Sequence, residues 1–176
     1  YDFPMLIQPA PQGSDVAAFL NEEQLKLRLQ QIVLDYIELG LMRDYYLPGV
    51  AIVTHQYDRV TPSDTGFEVL GIPLKRSWMK PYMDAKGITD AADQKKIADR
   101  LMRDFSALLA SLKDGVFTIN GSPTGMDDFY IAPTQGTLTH AEWANEIHPT
   151  PEGFARIAGV VLATIRGISS ELRDKI

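Results

Sequence analysis

Cysteine is absent from this chain of 176 residues, and so are long apolar runs and clusters of basic side chains. Without cysteine, disulfides, thiolate metal ligands and cysteine nucleophiles are excluded. No apolar run approaches the roughly 20 residues that a membrane-spanning helix needs, so no membrane span is predicted. The net charge is -6, and Lys and Arg are scattered, so the sequence lacks the basic patch of a nucleic-acid-binding protein.

Hydrophobic residues make up 45% of the chain, which is enough for a folded core. The length suits one domain spanning residues 1–176. The first residue is Tyr1 rather than methionine, and no basic-plus-apolar signal segment follows it. We therefore expect that the chain was processed or that it is part of a longer polypeptide.

Apolar periodicity predicts three helices and two strands. The helices are expected at about Asn21–Asp44, at about Asp90–Lys113, and from Thr150 and Pro151 onward, and the strands at Val50–Thr54 and Val116–Ile119. The first 20 residues and the stretches His55–Ile88 and Asn120–Pro149 are predicted to be irregular. This alternation is typical of an α/β domain with a parallel sheet, in which the two strands would be parallel neighbours.

Polar side chains follow both predicted strands, at the sheet edge where α/β proteins bind ligands. After the first strand come His55, Tyr57 and Asp58, which we predict to be substrate-binding residues. After the second come Asn120, Asp127, Asp128 and the run from Asn145 to His148.

His148 stands directly before the helix that begins at Thr150 and Pro151. The positive end of the helix dipole disfavours imidazolium there, so the ring stays neutral and able to accept a proton near pH 7. Those are the properties of a general base. A surface histidine in a helix-entry loop is the alternative interpretation.

The segment from Trp143 to Thr150, which reads Trp-Ala-Asn-Glu-Ile-His-Pro-Thr, is followed by Gly153-Phe154 and Ile157-Ala158. It resembles the last block of the SGNH (GDSL-like) hydrolases, and the run from Val53 to Asp58 resembles a stretch at the end of one of their central strands. The similarity extends from about Asn21 to the C-terminus. It implies the C-terminal part of a flavodoxin-like, three-layer α/β/α fold, with His148 as the base that activates a serine.

Two departures from the family pattern matter. The position three residues before His148 is Asn145 rather than aspartate, so either a dyad operates or another carboxylate substitutes; the candidates are Asp127, Asp128, Glu142 and Glu146. The Gly-Asp-Ser block and the oxyanion-hole residues are missing. Ser14 and Ser122 stand in the wrong contexts for the nucleophile. We therefore expect the serine to lie outside this chain, in an N-terminal segment that could be a separate chain.

The resemblance implies hydrolysis of a small-molecule ester without a cofactor, with His148 and Asn145 as catalytic residues. Trp78, with Met79, Tyr82 and Met83, is a candidate for an apolar wall around an acyl or aryl group, and core packing is the alternative. One rival hypothesis is a non-catalytic ligand-binding protein on the same scaffold. Another is an unrelated α/β domain that holds a metal or ligand through residues such as His55 and His148, although no short histidine spacing supports a metal site.

Overall fold

A computed structural model describes residues 3–69, 72–75, 77–115, 117–119 and 122–173. The helices in this part are α1 (Phe3–Leu6), α2 (Glu22–Tyr46), α3 (Lys80–Ala85), α4 (Ala91–Asp114) and α5 (Pro151–Arg173). The strands are β1 (Ile52–His55), β2 (Phe67–Val69), β3 (Ile72–Lys75), β4 (Phe117–Ile119), β5 (Ser122–Thr124) and β6 (Phe129–Ala132). Short 3-10 turns lie at Val16–Phe19 and His140–Glu142. The chain is thus mixed α/β and mostly helical.

The three expected helices are confirmed, and their ends follow from capping chemistry. The side chain of Asn21 accepts a hydrogen bond from the Gln24 N–H at the start of α2, and Asp90 does the same for two N–H groups of α4. Gly115 ends α4 with a left-handed backbone at φ 76°, a conformation that glycine adopts without a steric penalty. The Thr150 hydroxyl accepts the N–H of Gly153 at the start of α5.

β1 and β6 form a small parallel sheet, in which Ile52 lies opposite Phe129 and His55 lies opposite Ala132. The strand expected at Val50–Thr54 is confirmed with slightly shifted ends. The partner strand, β6, lies in the stretch Asn120–Pro149 that was predicted to be irregular. It is a short apolar run, which periodicity alone cannot assign to a strand.

The expected parallel pairing of this strand with Val116–Ile119 is wrong. β4 pairs instead with β5 in an antiparallel hairpin. In the sequence the two strands are separated by Asn120-Gly121, a dipeptide favoured in two-residue hairpin turns. Val116 and Asn120 themselves lie outside the described residues.

Three further expectations are corrected. The first 20 residues, predicted to be irregular, contain α1 and the 3-10 turn at Val16–Phe19, and Ile7, Phe19 and Leu20 in them are among the most buried side chains. The stretch predicted to be irregular after His55 contains the β2–β3 hairpin and α3. Leu41 continues the apolar spacing of Leu25, Leu29 and Ile37 along α2, which predicts a core position, yet it is 66% exposed.

Two clusters of apolar side chains make the core. The first joins the N-terminal segment, α3 and the first half of α4. The second joins α2, the second half of α4 and β6, where the Tyr36 and Phe129 rings meet edge to face at 5.6 Å. α5 contacts both β1 and β6, yet Phe154, Leu162 and Ile165 on it remain exposed. In the described part of the chain, no helix is long and apolar enough to cross a membrane.

Arg43 fastens the amino ends of the two sheet strands to α2. Its buried guanidinium donates to the carbonyl oxygens of Val50 at 2.6 Å and Asp127 at 2.7 Å, and it also pairs with Asp44. Val50 lies shortly before β1, and Asp127 lies shortly before β6. One planar side chain with several N–H groups thus sets the relative position of both strands.

Replacing Arg43 with lysine is expected to lower the free energy of unfolding by about 1–3 kcal/mol, because a point-like ammonium cannot reach both carbonyl groups and leaves a buried acceptor unpaired. The measurement is urea denaturation, with Arg103→Lys on the exposed face of α4 as the matched control. Equal midpoints for the two variants would contradict this role of Arg43.

Candidate active site

The loop from Trp143 to Pro149 closes on itself and presents His148 beside the start of α5. Trp143 and Pro149 form an antiparallel bridge, and the His148 carbonyl accepts the N–H groups of Ala144 at 2.9 Å and Asn145 at 3.2 Å. These bonds fix the backbone on both sides of the histidine. The position of the ring is therefore set by a rigid turn rather than by a free loop.

Asn145 holds the His148 ring. Its Oδ1 lies 3.1 Å from His148 Nδ1 and also accepts the backbone N–H groups of Ile147 at 3.1 Å and His148 at 2.9 Å. Because backbone N–H groups only donate, the oxygen of the amide must face this turn. Nδ1 of a neutral His148 is then the protonated nitrogen, and Nε2 carries the lone pair. This is the tautomer that a general base requires.

Glu146 ties the same loop to the segment before α3. Its side chain is only 1% exposed, and its carboxylate accepts the backbone N–H groups of Trp78, Met79 at 2.5 Å, Lys80 at 2.8 Å and Ser63 at 3.3 Å. Hydrogen bonds to an ionised acceptor are stronger than those between neutral groups. The loop and the α3 segment are consequently held together around one buried carboxylate.

This attachment brings the Trp78 ring against the His148 ring. The two centroids are 5.1 Å apart and the planes meet at 77°. Met79 and Met83, suggested with Trp78 as an apolar wall, are buried in the first core cluster instead, and Tyr82 is exposed. Trp78 thus limits the freedom of the histidine ring from one side.

Tyr57 connects the end of β1 to the histidine loop. Its backbone is left-handed, with φ 57°, which is uncommon for a bulky residue. The hydroxyl donates to the Ile147 carbonyl at 2.8 Å, and the ring stacks on His55 with centroids 5.7 Å apart. Burial raises the pKa of the Tyr57 hydroxyl above its ordinary value, so this donor keeps its proton.

Asp58 acts on the backbone of a neighbouring loop. The side chain is buried, and its carboxylate accepts the N–H groups of Arg59 at 2.6 Å, Gly136 at 2.5 Å and Leu138 at 2.7 Å. These contacts hold the loop after β6 against the end of β1. The predicted substrate-binding role of Asp58 stays a prediction, and the contacts assign it a scaffold role.

A cleft of about 560 Å³ lies beside His148. It is lined by His55, Tyr57, Asp58, Leu138, Trp143, Ile147, His148, Pro149, Phe154, Ile157, Ala158, Val161 and Leu162. Four of the six predicted site residues therefore meet in one place, with Asn145 and Trp78 in contact with His148. The apolar spacing along α5 predicts a face that packs into the core, but in the structure several of these residues line the cleft instead.

Gly153 allows α5 to begin close to the histidine loop. A Cβ atom at this position would lie 2.6 Å from the Glu142 carbonyl oxygen and 2.9 Å from the Cβ of Pro149. The turn and the helix could not keep this separation with a larger residue. Close packing of α5 against the histidine loop therefore requires glycine at position 153.

The alternative carboxylates do not replace Asn145. Asp127 and Asp128 precede β6 and lie at the amino edge of the sheet, so the expectation that they follow a strand at the site edge is wrong. Glu146 is occupied by backbone N–H groups. Glu142 accepts the N–H and hydroxyl of Thr139 and pairs with Arg156 at 2.8 Å.

Two serines merit comparison with the expected nucleophile. Ser14 donates to the Pro11 carbonyl in the N-terminal segment. Ser77, which no sequence pattern marks as a nucleophile, precedes Trp78, and its buried Oγ has no hydrogen-bond partner within the described part of the chain. Nothing is described of the Ser122 side chain. None of the described cleft-lining residues is a serine.

A larger groove, of about 780 Å³, lies between α2 and α4. Its charged residues include Arg100, which is paired with Asp104 at 2.6 Å and with Glu22 at 3.3 Å. These charges are therefore paired with each other, and no histidine lines the groove. The smaller cleft, which contains two histidines, is the better candidate for an active site. Among the described residues, no group of three or more histidine and acidic side chains could hold a metal ion.

No family model, curated protein or solved structure matches this chain.

Glu142 provides a test of the loop's electrostatics. Its pKa is lowered to about 2, mainly by the backbone N–H of Thr139, then by the Thr139 hydroxyl and the Arg156 guanidinium. A lowered pKa stabilises the folded state above the ordinary value of 4.5, and this contribution is lost as the pH falls from 4.5 towards 2. Glu142→Gln removes this titrating group, so the urea midpoint of the variant is expected to fall less than that of the unmodified protein as the pH is lowered from 4.5 towards 2. The exposed Glu38→Gln on α2 controls for removal of one charge, and identical profiles for the two variants would contradict the assignment.

Proposed function

We propose that His148 is the general base of a serine-type ester hydrolase of SGNH (GDSL-like) type. The observation that carries the proposal is the contact of its Nδ1 with an amide oxygen that two backbone N–H groups hold in place. This contact leaves the Nε2 lone pair available, and Nε2 has no hydrogen bond within the described part of the chain. The ring also lines the cleft.

The proposed reaction follows from this geometry. His148 Nε2 accepts the proton of a serine hydroxyl as its oxygen attacks the ester carbonyl carbon, and the same nitrogen then returns the proton to the leaving alcohol. Water repeats the sequence and releases the acid. Asn145 orients the ring throughout but adds no negative charge, so the imidazolium that forms is stabilised less than it would be by a carboxylate.

We further propose that the serine comes from polypeptide outside these 176 residues and that this polypeptide extends the sheet. Alternate residues of a strand direct their backbone groups to opposite sides, and Ile52 and Gln56 donate towards β6. Val53 and His55 therefore direct theirs away from β6, to an edge where no described strand pairs. An added strand at this edge supports the three-layer fold that the sequence resemblance implies, and its carboxyl end would lie beside His55.

The absence of a serine from the described cleft lining favours one rival: a binding protein that uses the same cleft without catalysis. Its cleft would still take an apolar ligand. The two hypotheses differ in whether a serine becomes covalently reactive and whether that reactivity depends on His148.

Fluorophosphonate labelling of the full-length polypeptide tests the proposal, because such probes react with serines that an adjacent base activates. Mass spectrometry is expected to place the label on a serine outside residues 1–176. His148→Ala should reduce labelling and hydrolysis of a short-chain ester by at least ~10²-fold. His140→Ala, at an exposed histidine, is the matched control. A label on Ser77 that Ser77→Ala removes would overturn the external nucleophile, and ligand binding without any label would favour the binding protein.

Asn145→Asp tests the orienting residue. A carboxylate oxygen in the place of the amide oxygen, 3.1 Å from His148 Nδ1, would stabilise the imidazolium and raise its pKa. The acidic limb of the pH–rate profile is therefore expected to move to higher pH. The alternative variant Asn145→Ala should lower kcat without that shift, because the ring loses its acceptor and gains no charge. An unchanged acidic limb in Asn145→Asp, with His148 confirmed as essential, would assign the orienting role to another group.

A further inference from the structure

His55 is the second histidine of the cleft, and its protonation is fixed by the backbone. Its Nδ1 accepts the N–H of Tyr57 at 3.2 Å and lies 3.3 Å from the Thr134 hydroxyl. A backbone N–H can only donate, so Nδ1 must carry a lone pair. The proton of the neutral ring therefore resides on Nε2, which has no hydrogen-bond partner among the residues described.

The two histidines consequently have opposite hydrogen-bonding characters. His148 offers a lone pair at Nε2, whereas His55 offers an N–H at Nε2, and both rings line the same cleft. Stacking on Tyr57 holds the His55 ring, and the Tyr57 hydroxyl is bonded to the histidine loop at Ile147. A donor and an acceptor are thus held by one connected set of contacts.

The other wall of the cleft is aliphatic and aromatic. It is formed by α5, where Phe154 is 52% exposed and Leu162 is 49% exposed, and Val161 also lines it. A cleft of about 560 Å³ falls within the ~300–1,000 Å³ that is usual for small-molecule sites. An apolar wall next to one N–H donor matches a ligand that has a hydrocarbon chain and a single carbonyl oxygen.

We propose that this cleft binds the acyl group of a medium-chain aliphatic ester and that His55 is a specificity-determining residue. The carbonyl oxygen accepts a hydrogen bond from His55 Nε2, and the chain lies along α5 over Val161 and Leu162. The identity of the head group as an ester rests on the proposed function. The binding geometry depends only on contacts within this chain.

The test uses methyl ketones, which keep the carbonyl and cannot be hydrolysed, so that its outcome is separate from that of the hydrolase proposal. Binding of 2-decanone and 2-hexanone to the full-length polypeptide is followed by NMR. Four additional methylene groups are expected to strengthen binding by at least ~10-fold. Leu162→Ala should weaken binding of 2-decanone, whereas Leu34→Ala, at an exposed position on α2, should not.

The hydrogen bond from His55 Nε2 to the ketone is detected through the imidazole nitrogen and Nε2–H resonances of the protein without substitutions. This measurement therefore does not require a His55 variant to fold. The spectra should show the His55 proton on Nε2, and 2-decanone should shift that N–H resonance while decane leaves it in place. His55→Leu should weaken binding of 2-decanone by about 5-fold, as for one neutral hydrogen bond. Equal binding of decane and 2-decanone, or a His55 proton on Nδ1, would overturn the donor role.

The competing occupant of this wall is protein. Self-association of the chain that Leu162→Ala abolishes, with no saturable binding of 2-decanone, would show that α5 is an interface and would overturn the acyl site. Ketone binding with the expected chain-length dependence, even where no hydrolysis is found, would support the acyl site and count against the hydrolase alone.

Discussion

The arrangement of the site depends on one buried carboxylate, that of Glu146. Removing an ionised group from water costs several kcal/mol unless hydrogen bonds replace its hydration. Here backbone N–H groups from Ser63, Trp78, Met79 and Lys80 do so. Because these donors lie on two stretches far from Glu146 in sequence, satisfying the charge requires the loop and the α3 segment to meet. Asn145 and His148 flank that fixed point, so their positions follow from it.

Backbone groups, rather than other charges, determine the chemistry of both histidines in the cleft. Two N–H groups orient the Asn145 amide, which makes Nδ1 of His148 a donor, and one N–H makes Nδ1 of His55 an acceptor. Such control needs only a rigid turn and no second carboxylate. It explains how asparagine can occupy the position three residues before His148 and still select a useful tautomer, although it cannot stabilise the imidazolium by charge.

The elements with strong periodicity or clear caps could be predicted from the sequence. α4 shows both, with Asp90 as its N-cap and Gly115 after its last residue. β6 could not be predicted, because four apolar residues between Asp128 and Pro133 carry too little periodicity to separate a strand from a loop. The predicted strand order placed His148, His55 and Tyr57 at one edge of the sheet, and in the structure all three line one cleft. The N–H partners of Glu146 and the cleft wall on α5 depend on tertiary contacts that no local pattern encodes.

The apolar face of α5 connects the fold to the proposed site. A helix with Phe154, Leu162 and Ile165 exposed would lower its free energy by covering them, since buried apolar area stabilises by roughly 25 cal/mol per Å². The edge of β1 that no described strand pairs can accept a further strand through its backbone groups, whereas the cleft beside His55 and His148 combines hydrocarbon with one donor and one acceptor. These are different demands on neighbouring surfaces. In the proposed arrangement a further strand pairs with the edge, an acyl chain fills the cleft, and a serine at the end of that strand stands between the two.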